Sequence, residues 1–192
     1  MILESILVLG IAIFLDFVFG DPKNRYHPTA WIGILITKLT LIAKNQHPVM
    51  ERLGGILIVT ITSSIVILLL LTLNIGISLI VTDYVSLIVS LILGGLLLKT
   101  TIAIHGMEKH AKAVLESIAH DDLDMARTNL SMIVKRNTKN LDKNHVISGV
   151  LESISENTVD GITGPLFYYA LFGLPGAFLY RVINTAGNPK RA

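Results

Sequence analysis

The sequence predicts an all-α fold, a multi-pass helical membrane protein with amphipathic cytoplasmic helices. Hydrophobic residues make up 52% of the 192 residues and charged residues only 16%, with a mean hydropathy of +0.64. That composition is too apolar for an ordinary soluble domain. The apolar residues also collect in runs as long as a bilayer crossing, which takes about 20 helical residues. We therefore treat residues 1–192 as a single membrane domain.

The first predicted span covers residues 2–20, with Glu4 and Asp16 near its two ends. It lacks the basic start and the Ala-x-Ala cleavage site of a signal peptide, so we expect a retained helix.

The longest apolar stretch, residues 54–98, contains Asp83 as its only charged residue and predicts two spans, 54–74 and 77–98. Two turns between them are compatible with the sequence. Asn74-Ile75-Gly76 has favourable turn chemistry, whereas Thr82-Asp83-Tyr84 would keep a charge costing about 3 kcal/mol out of the bilayer centre. We prefer the first turn, with Asp83 near an interface.

A fourth apolar segment, residues 166–183, is interrupted in its middle by Gly173-Leu174-Pro175-Gly176. Broken helices are tolerated at membrane depth where they are buried in protein or line a cavity. We expect a broken or re-entrant element, and the sequence leaves open whether it crosses the membrane.

Lysine and arginine residues predict the orientation. They concentrate in residues 21–53 and 99–165 and are absent from the turn between the two central spans. Because basic loops stay in the cytoplasm, both segments should be cytoplasmic and the amino terminus outside. The predicted location is the cell membrane, with the polar segments facing the cytoplasm.

Apolar residues at helical spacing predict three amphipathic helices within residues 99–165. The second should begin after Asp121-Asp122 and the third near Asp142. Their apolar stripes are Met107, Ala111, Val114, Leu115 and Ile118; Leu123, Ala126, Leu130, Ile133 and Val134; and Ile147, Val150, Leu151 and Ile154.

The densest polar cluster lies on the third of these helices. Glu152, Glu156 and Asp160 are four residues apart and so project from one helix face. Such a face could hold Mg²⁺, which prefers one or two carboxylates together with waters and substrate phosphates. The alternative is a solvated helix face.

Two further polar groups flank the apolar spans. In "DFVFGDPKNRYHP", residues 16–28, Asp21 could bind a cation, and Arg25 and His27 could meet an anion or move a proton; the alternative is a membrane-exit turn with snorkelling charges. After the broken segment, Arg181, Asn184 and Thr185 could reach a phosphate, or Arg181 could be an interfacial anchor.

Several classes of site are excluded by the sequence. With no cysteine there is no disulfide, no iron–sulfur cluster and no thiolate metal site, and no His-rich metal spacing predicts zinc. No P-loop is present, so ATP would have to be held in another way. A net charge of +2 does not favour a nucleic-acid partner.

Three stretches, in this order, give the chain a family resemblance: "DFVFGDPKNRYHPTAWIG", "SMIVKRNTKNLD" and "ESISENTVDGITGPLFYYALFGLPGAFLYRVINT". The chain resembles the adenosylcobinamide-phosphate synthase family, multi-pass membrane enzymes of cobalamin biosynthesis. The resemblance implies ATP-dependent amide ligation, with Mg²⁺. A propionate carboxylate of the corrinoid adenosylcobyric acid would be joined to aminopropanol or aminopropanol phosphate, at a site beside the lipid bilayer.

The resemblance also implies residue roles. The catalytic set would be Glu152, Glu156, Asn157, Asp160 and His27, with the three carboxylates positioning Mg²⁺ and nucleotide and Asn157 hydrogen-bonding substrate. Asp21, Arg25, Arg136, Arg181 and Asn184 would bind substrate, the last two through phosphate.

Two departures from the family pattern concern activity. The chain has Arg136-Asn137-Thr138 where the family usually has Arg-Asp-Thr, and it ends in "AGNPKRA" where the family continues with a Leu-Asp-Ser-Met-like motif and further chain. We therefore expect a truncated member, inactive alone or in need of a separate chain carrying the missing region. Two other interpretations stay open: a non-catalytic membrane protein or subunit of a corrinoid assembly, and a small transporter.

Overall fold

The described part of the protein consists of helices joined by short linkers. The structure is a computed structural model and describes residues 2–20, 27–43, 47–80, 83–134 and 136–187. No strand occurs in these ranges, which confirms the predicted all-α class. The elements are α1 (Ile2–Phe19), α2 (Pro28–Ala43), α3 (Pro48–Ile80), α4 (Asp83–Lys99), α5 (Ile104–Ala119), α6 (Leu123–Ser131), α7 (Lys143–Thr158), a π-helical turn (Val159–Thr163) and α8 (Gly164–Gly187).

Four helical stretches are long and apolar enough to cross a membrane: Ile2–Phe19, Pro48–Leu79, Tyr84–Ala119 and Lys143–Gly187. Their length and composition make this an all-α membrane protein. Helix α2 is apolar but shorter. We predicted no helix within residues 21–53, although Pro28 at the first position of α2 and the His27 carbonyl, which accepts from the amides of Ala30 and Trp31, form a regular helix start.

The preferred turn of the central hairpin was wrong. Helix α3 continues through Asn74-Ile75-Gly76 to Ile80, and α4 begins at Asp83, so residues 74–76 form no turn. A glycine inside a helix costs only about 1 kcal/mol. Among apolar side chains that cost is smaller than the cost of leaving backbone groups without internal hydrogen bonds. The 33 residues of α3 extend about 50 Å, more than the hydrocarbon core needs.

Helix α8 is broken at Gly173, inside the segment for which the sequence predicts a break. Gly173 has φ 65° and ψ −156°, a conformation that favours glycine, and Pro175 follows in the next turn. Gly176 lies directly against the Tyr168 carbonyl. A Cβ added at Gly176 would lie only 2.7 Å from the Phe172 Cβ. The second half of α8 therefore folds back so closely on the first that position 176 has no room for a side chain.

The membrane-type helices pack around two apolar clusters. The first cluster joins α1 and α8 to the end of α4, and it includes Val8, Ala12, Leu98, Tyr169 and Ala177. The second cluster joins α2, α3 and α8, and it includes Ile32, Ile36, Ile58, Phe178 and Val182. The Tyr169 hydroxyl also donates to the Ser5 carbonyl at 3.1 Å. Helix α8 therefore ties the first helix to the central ones.

The α1–α4 contact depends on small residues. A Cβ added at Gly95 would lie 2.8 Å from the Ile11 Cβ and closer still to its Cγ2, and one at Gly94 would lie 3.2 Å from the Val8 Cγ2. Glycine on one helix and a branched side chain on the other let two membrane helices approach closely. This close approach fixes how the next turns of α1 and α4 meet.

The three amphipathic helices α5, α6 and α7 pack on one another. Their shared core contains Ala111, Val114, Ala126, Leu130, Val146 and Val150. The predicted starts at Asp122 and Asp142 are confirmed: each carboxylate accepts from the amide three residues later, at 2.9 Å. Leu115 and Leu151, assigned to the apolar stripes, are exposed, and Val146 replaces Ile147 as the buried position.

Candidate functional site

A buried carboxylate marks the point where α1, α4 and α5 meet. Asp16 is fully buried, its Oδ2 accepts from the His105 amide at 3.0 Å, and the Lys99 Nζ lies 3.9 Å from its Oδ1. Helix α5 has no side-chain cap from its own N-cap residue, Ala103. The Asp16 carboxylate therefore caps α5 from another helix, at the end where the helix dipole favours negative charge.

Lys99 connects the same point to the end of α1. Its side chain is only 6% exposed, and its Nζ donates to the Gly20 carbonyl. Gly20 adopts φ +61°, and an added Cβ there would meet the His105 ring at 2.7 Å. Glycine is thus required both by backbone conformation and by space. Lys99 and His105 together fix where α1 ends.

The π-helical turn lies against the linker between α4 and α5. The Ala103 amide donates to the Gly161 carbonyl at 3.1 Å, and Gly161 is buried. Single π-helical turns inside α-helices occur frequently at functional sites. This hydrogen bond brings the Asp16–Lys99 pair and Asp160, the neighbour of Gly161, into one junction.

Asp160 is the meeting point of the turn with α8. Its main-chain carbonyl accepts from the Arg181 Nη1 at 3.4 Å and from the Asn184 Nδ2 at 3.3 Å, and its Oδ1 accepts from the Tyr180 hydroxyl at 3.5 Å. The Tyr180 ring stacks on Tyr168 with centroids 5.3 Å apart. Three of the residues predicted for the site, Asp160, Arg181 and Asn184, are therefore brought together.

The other acidic residues of the predicted cluster, Glu152 and Glu156, are exposed. Glu152 forms an ion pair with Arg136 at 3.0 Å, with side chains 66% and 45% exposed. Glu156 is exposed, and the Asn157 Nδ2 donates to the Ser153 carbonyl and hydroxyl at 2.7 and 3.2 Å. These residues have the expected helical spacing, but they contact different partners. Asp160 contacts residues of α8, whereas Glu152 forms its ion pair with Arg136.

A metal site built from three carboxylates is not found in the part of the chain that the structure describes. No group of three or more His, Asp or Glu side chains there is placed to hold one metal ion. The described residues therefore do not fit a protein-built Mg²⁺ site of Glu152, Glu156 and Asp160. Participation of single carboxylates stays a prediction.

The residues predicted near the end of α1 are only partly described. Asp21 and Arg25 lie outside the described residues. His27 is described, and its Nδ1 lies 2.6 Å from the Thr29 hydroxyl, at the start of α2. The Thr29 hydroxyl also donates to the Thr100 carbonyl at 3.5 Å, so Thr29 links His27 to the end of α4 beside the junction.

A cavity of about 640 Å³ opens beside the junction. Its wall is apolar, formed by residues such as Leu15, Phe19 and Leu97, apart from Gly20, Lys99 and Thr100. Ligand pockets are commonly of this size and have a few polar groups in an apolar lining. The junction can therefore admit a molecule with an apolar surface and a polar end.

Sequence reasoning missed the centre of this junction. The sequence predicts only that Asp16 lies near the end of the first span and that residues 99–165 are basic, and it does not connect Asp16 with Lys99 or His105. The usable signal was Asp16 itself, because an ionisable residue within an apolar helix is costly and usually functional.

Comparison with known proteins identifies the family. The sequence model of the CobD/Cbib protein family matches residues 9–187. The chain belongs to the CobD/Cbib family. The match covers the whole junction, from α1 to the end of α8, and the family predicted from the three sequence stretches is confirmed.

Curated CobD/Cbib relatives are similar along nearly the whole chain. A protein of Methanocaldococcus jannaschii is 37% identical over 183 residues, 93% of this chain, and one of Methanococcus aeolicus is 34% identical over 181 residues, 94% of this chain. Both are named probable cobalamin biosynthesis protein CobD. The chain spans 58% of the length of each of these relatives. No solved structure matches the chain.

Proposed function

We propose that this chain acts in cobalamin biosynthesis as an ATP-dependent amide ligase, or as the part of one that its sequence covers. The substrates would be adenosylcobyric acid and aminopropanol or aminopropanol phosphate, and the product adenosylcobinamide or its phosphate. The names of the relatives support the pathway, and the family resemblance supports the reaction.

The observation that carries the proposal is the contact of Arg181 and Asn184 with Asp160, at the junction that the buried Asp16–Lys99 pair holds in place. Charged side chains are costly between apolar helices and mark functional sites by default. Here the Arg181 guanidinium on α8 donates to the Asp160 carbonyl in the π-helical turn, and the hydrogen bond from Ala103 to Gly161 connects this contact to the linker beside the buried Asp16–Lys99 pair. A reaction between charged groups of a large, partly apolar substrate needs such a place.

The polar groups of the junction match the charges of an amide ligation. Mg²⁺-ATP, as co-substrate, would transfer a phosphoryl group to the propionate carboxylate, and the amine would then displace phosphate. Negative charge accumulates on the carboxylate and phosphoryl oxygens, so fixed cations such as the Arg181 guanidinium stabilise it. Asn184 and Arg181 both donate to the Asp160 carbonyl, so Asn184 helps to hold the Asp160 main chain beside the Arg181 guanidinium. His27, at the junction edge, is the candidate to accept the amine proton.

We propose a multi-pass topology with the junction on the cytoplasmic side, because basic residues favour that side. The absence of cysteine from the sequence gives a clean test by single-cysteine labelling. Asn140→Cys, in the exposed linker between α6 and α7, should be labelled only from the cytoplasm, and Ser78→Cys, near the other end of α3, only from outside. Labelling of both from one side would contradict the topology.

The function is tested by ligation with purified protein. Adenosylcobyric acid, aminopropanol phosphate and Mg²⁺-ATP are incubated with the wild type and with Asp160→Asn and Glu156→Gln, and the corrinoid product is followed by mass spectrometry. Glu116→Gln, an exposed glutamate near the far end of α5, is the matched control. Product that is lost with Asp160→Asn and retained with Glu116→Gln is the expected result.

Failure of the wild type has a defined next step. The carboxyl-terminal part of a full-length relative is added as a separate chain, since the chain covers 58% of the length of such relatives. Product only in its presence would identify the chain as one part of a two-chain ligase. No product in either case would contradict the proposal and favour a non-catalytic member of the family.

A further inference from the structure

We propose that Asp16 and Lys99 are positioning residues of the ligation site, which hold the end of α1 and the start of α5 in fixed relation to the π-helical turn. The effect on turnover rests on the proposed function, whereas the effect on geometry can be measured without it. Neither residue belongs to the set that the sequence predicted for the site.

The burial of the pair is the first reason. Asp16 is fully buried and the Lys99 side chain is 6% exposed. Replacing a buried ion pair by apolar residues of similar volume is often neutral or stabilising, so the pair is weak evidence for a role in stability alone. Its contacts indicate a role in geometry.

The contacts join three elements at defined atoms. Asp16 belongs to α1, yet its carboxylate accepts from the His105 amide and so serves as the cap of α5. Lys99 ends α4, yet its ammonium donates to the Gly20 carbonyl beyond the end of α1. Loss of either bond frees one helix end from the other, although the apolar packing of α1 on α4 remains.

The connection to the site is short. Ala103 precedes the first turn of α5 and donates its amide to the Gly161 carbonyl. Gly161 follows Asp160, whose carbonyl holds Arg181 and Asn184. A shift at the start of α5 therefore moves Asp160 and the Arg181 guanidinium with it.

Two double variants separate geometry from charge. Asp16→Asn with Lys99→Gln removes both charges but keeps an acceptor for His105 and, one atom nearer the main chain, an N–H donor for Gly20. Asp16→Asn with Lys99→Met removes the same charges and also the N–H donor at position 99. The methionine side chain is as long as the glutamine side chain, so the two double variants differ mainly in this donor. Because each variant removes both charges together, neither leaves an unpaired buried charge, and both should fold.

The glutamine double variant should resemble the wild type. The methionine double variant should keep the same Tm but show about tenfold lower kcat, with the KM for Mg²⁺-ATP changed by less than about threefold, because positioning acts on the reacting geometry. Its amide hydrogen exchange should rise about tenfold in the peptides that cover the end of α1, the start of α5 and the π-helical turn, and nowhere else.

Hydrogen exchange and kcat of the two double variants decide whether the Asp16–Lys99 pair positions the junction. Equal local exchange in the two double variants, or faster exchange throughout the methionine variant, would overturn the inference, since the pair would then hold nothing locally or hold the whole fold. Equal kcat in an active protein would also overturn it. If the wild type proves inactive, the proposed function fails separately, and the exchange measurement alone decides whether the pair positions the junction.

Discussion

Replacing Gly95 by alanine tests the helix contact on which the junction depends. An added Cβ would lie 2.8 Å from the Ile11 Cβ, a distance that real Cβ atoms essentially never show, so α1 and α4 must separate. One turn later on these helices stand Asp16 and Lys99. The change should therefore reduce stability and also loosen the ion pair.

The magnitude follows from a comparison with Gly10. Nothing lies within 4 Å of a Cβ added at Gly10, which is on α1 itself. Both substitutions gain the same helix propensity, up to about 1 kcal/mol, so their difference isolates the packing cost. Overpacking a well-packed contact costs about 1–3 kcal/mol. At roughly 2–4 °C per kcal/mol for a chain of this size, the expected difference in Tm is about 2–12 °C.

The assay is thermal unfolding of the wild type, Gly95→Ala and Gly10→Ala, purified in one detergent and followed by circular dichroism at 222 nm. Gly95→Ala should unfold below the wild type and Gly10→Ala at or above it. If Gly95→Ala is as stable as Gly10→Ala, the close approach of α1 and α4 is refuted, together with the geometry of the Asp16–Lys99 pair that depends on it.

Three other substitutions have defined outcomes. Asp142→Ala should lower the Tm by a few degrees at pH 7, because it removes the cap of α7. Hydrogen bonds from His145 hold the pKa of the Asp142 carboxyl below its usual value, so the wild type should lose this stabilisation as the pH falls below about 4. Thr62→Val should leave the free energy of unfolding unchanged or raise it by about 1 kcal/mol, because the buried Thr62 hydroxyl has no hydrogen-bond partner among the described residues; a clear loss in chemical denaturation would contradict this. Gly164→Ala forces the Tyr180 ring away from Asp160 and should reduce ligation at least about tenfold, unlike the Gly187→Ala control, where space is open.

Much of the fold could be predicted because the membrane imposes simple rules on sequence. Spans follow from apolar length, as for residues 2–20, and the starts of α6 and α7 follow from Asp122 and Asp142, whose capping is local. The turn at 74–76 was wrong because turn propensity was considered without the cost of unpaired backbone groups in an apolar segment, which favours a continued helix. Helix α2 was missed because it is shorter than a span.

The site could be predicted only where its residues are neighbours along the chain. Asp160 was found from its spacing to the two glutamates, and Arg181 and Asn184 from their position after the break. Asp16 and Lys99 are 83 positions apart, and their meeting depends on the packing of α1 against α4. Local patterns do not contain that information.

The central claim is best tested by measuring product and nucleotide together. In one reaction with adenosylcobyric acid, aminopropanol phosphate and Mg²⁺-ATP, amide product is counted by mass spectrometry and ADP by chromatography, with parallel reactions that omit the amine or the ATP. The account predicts one ADP for each amide formed, and neither without both substrates. Amide formation without ATP, or ADP release that does not depend on the amine and the corrinoid, would contradict it.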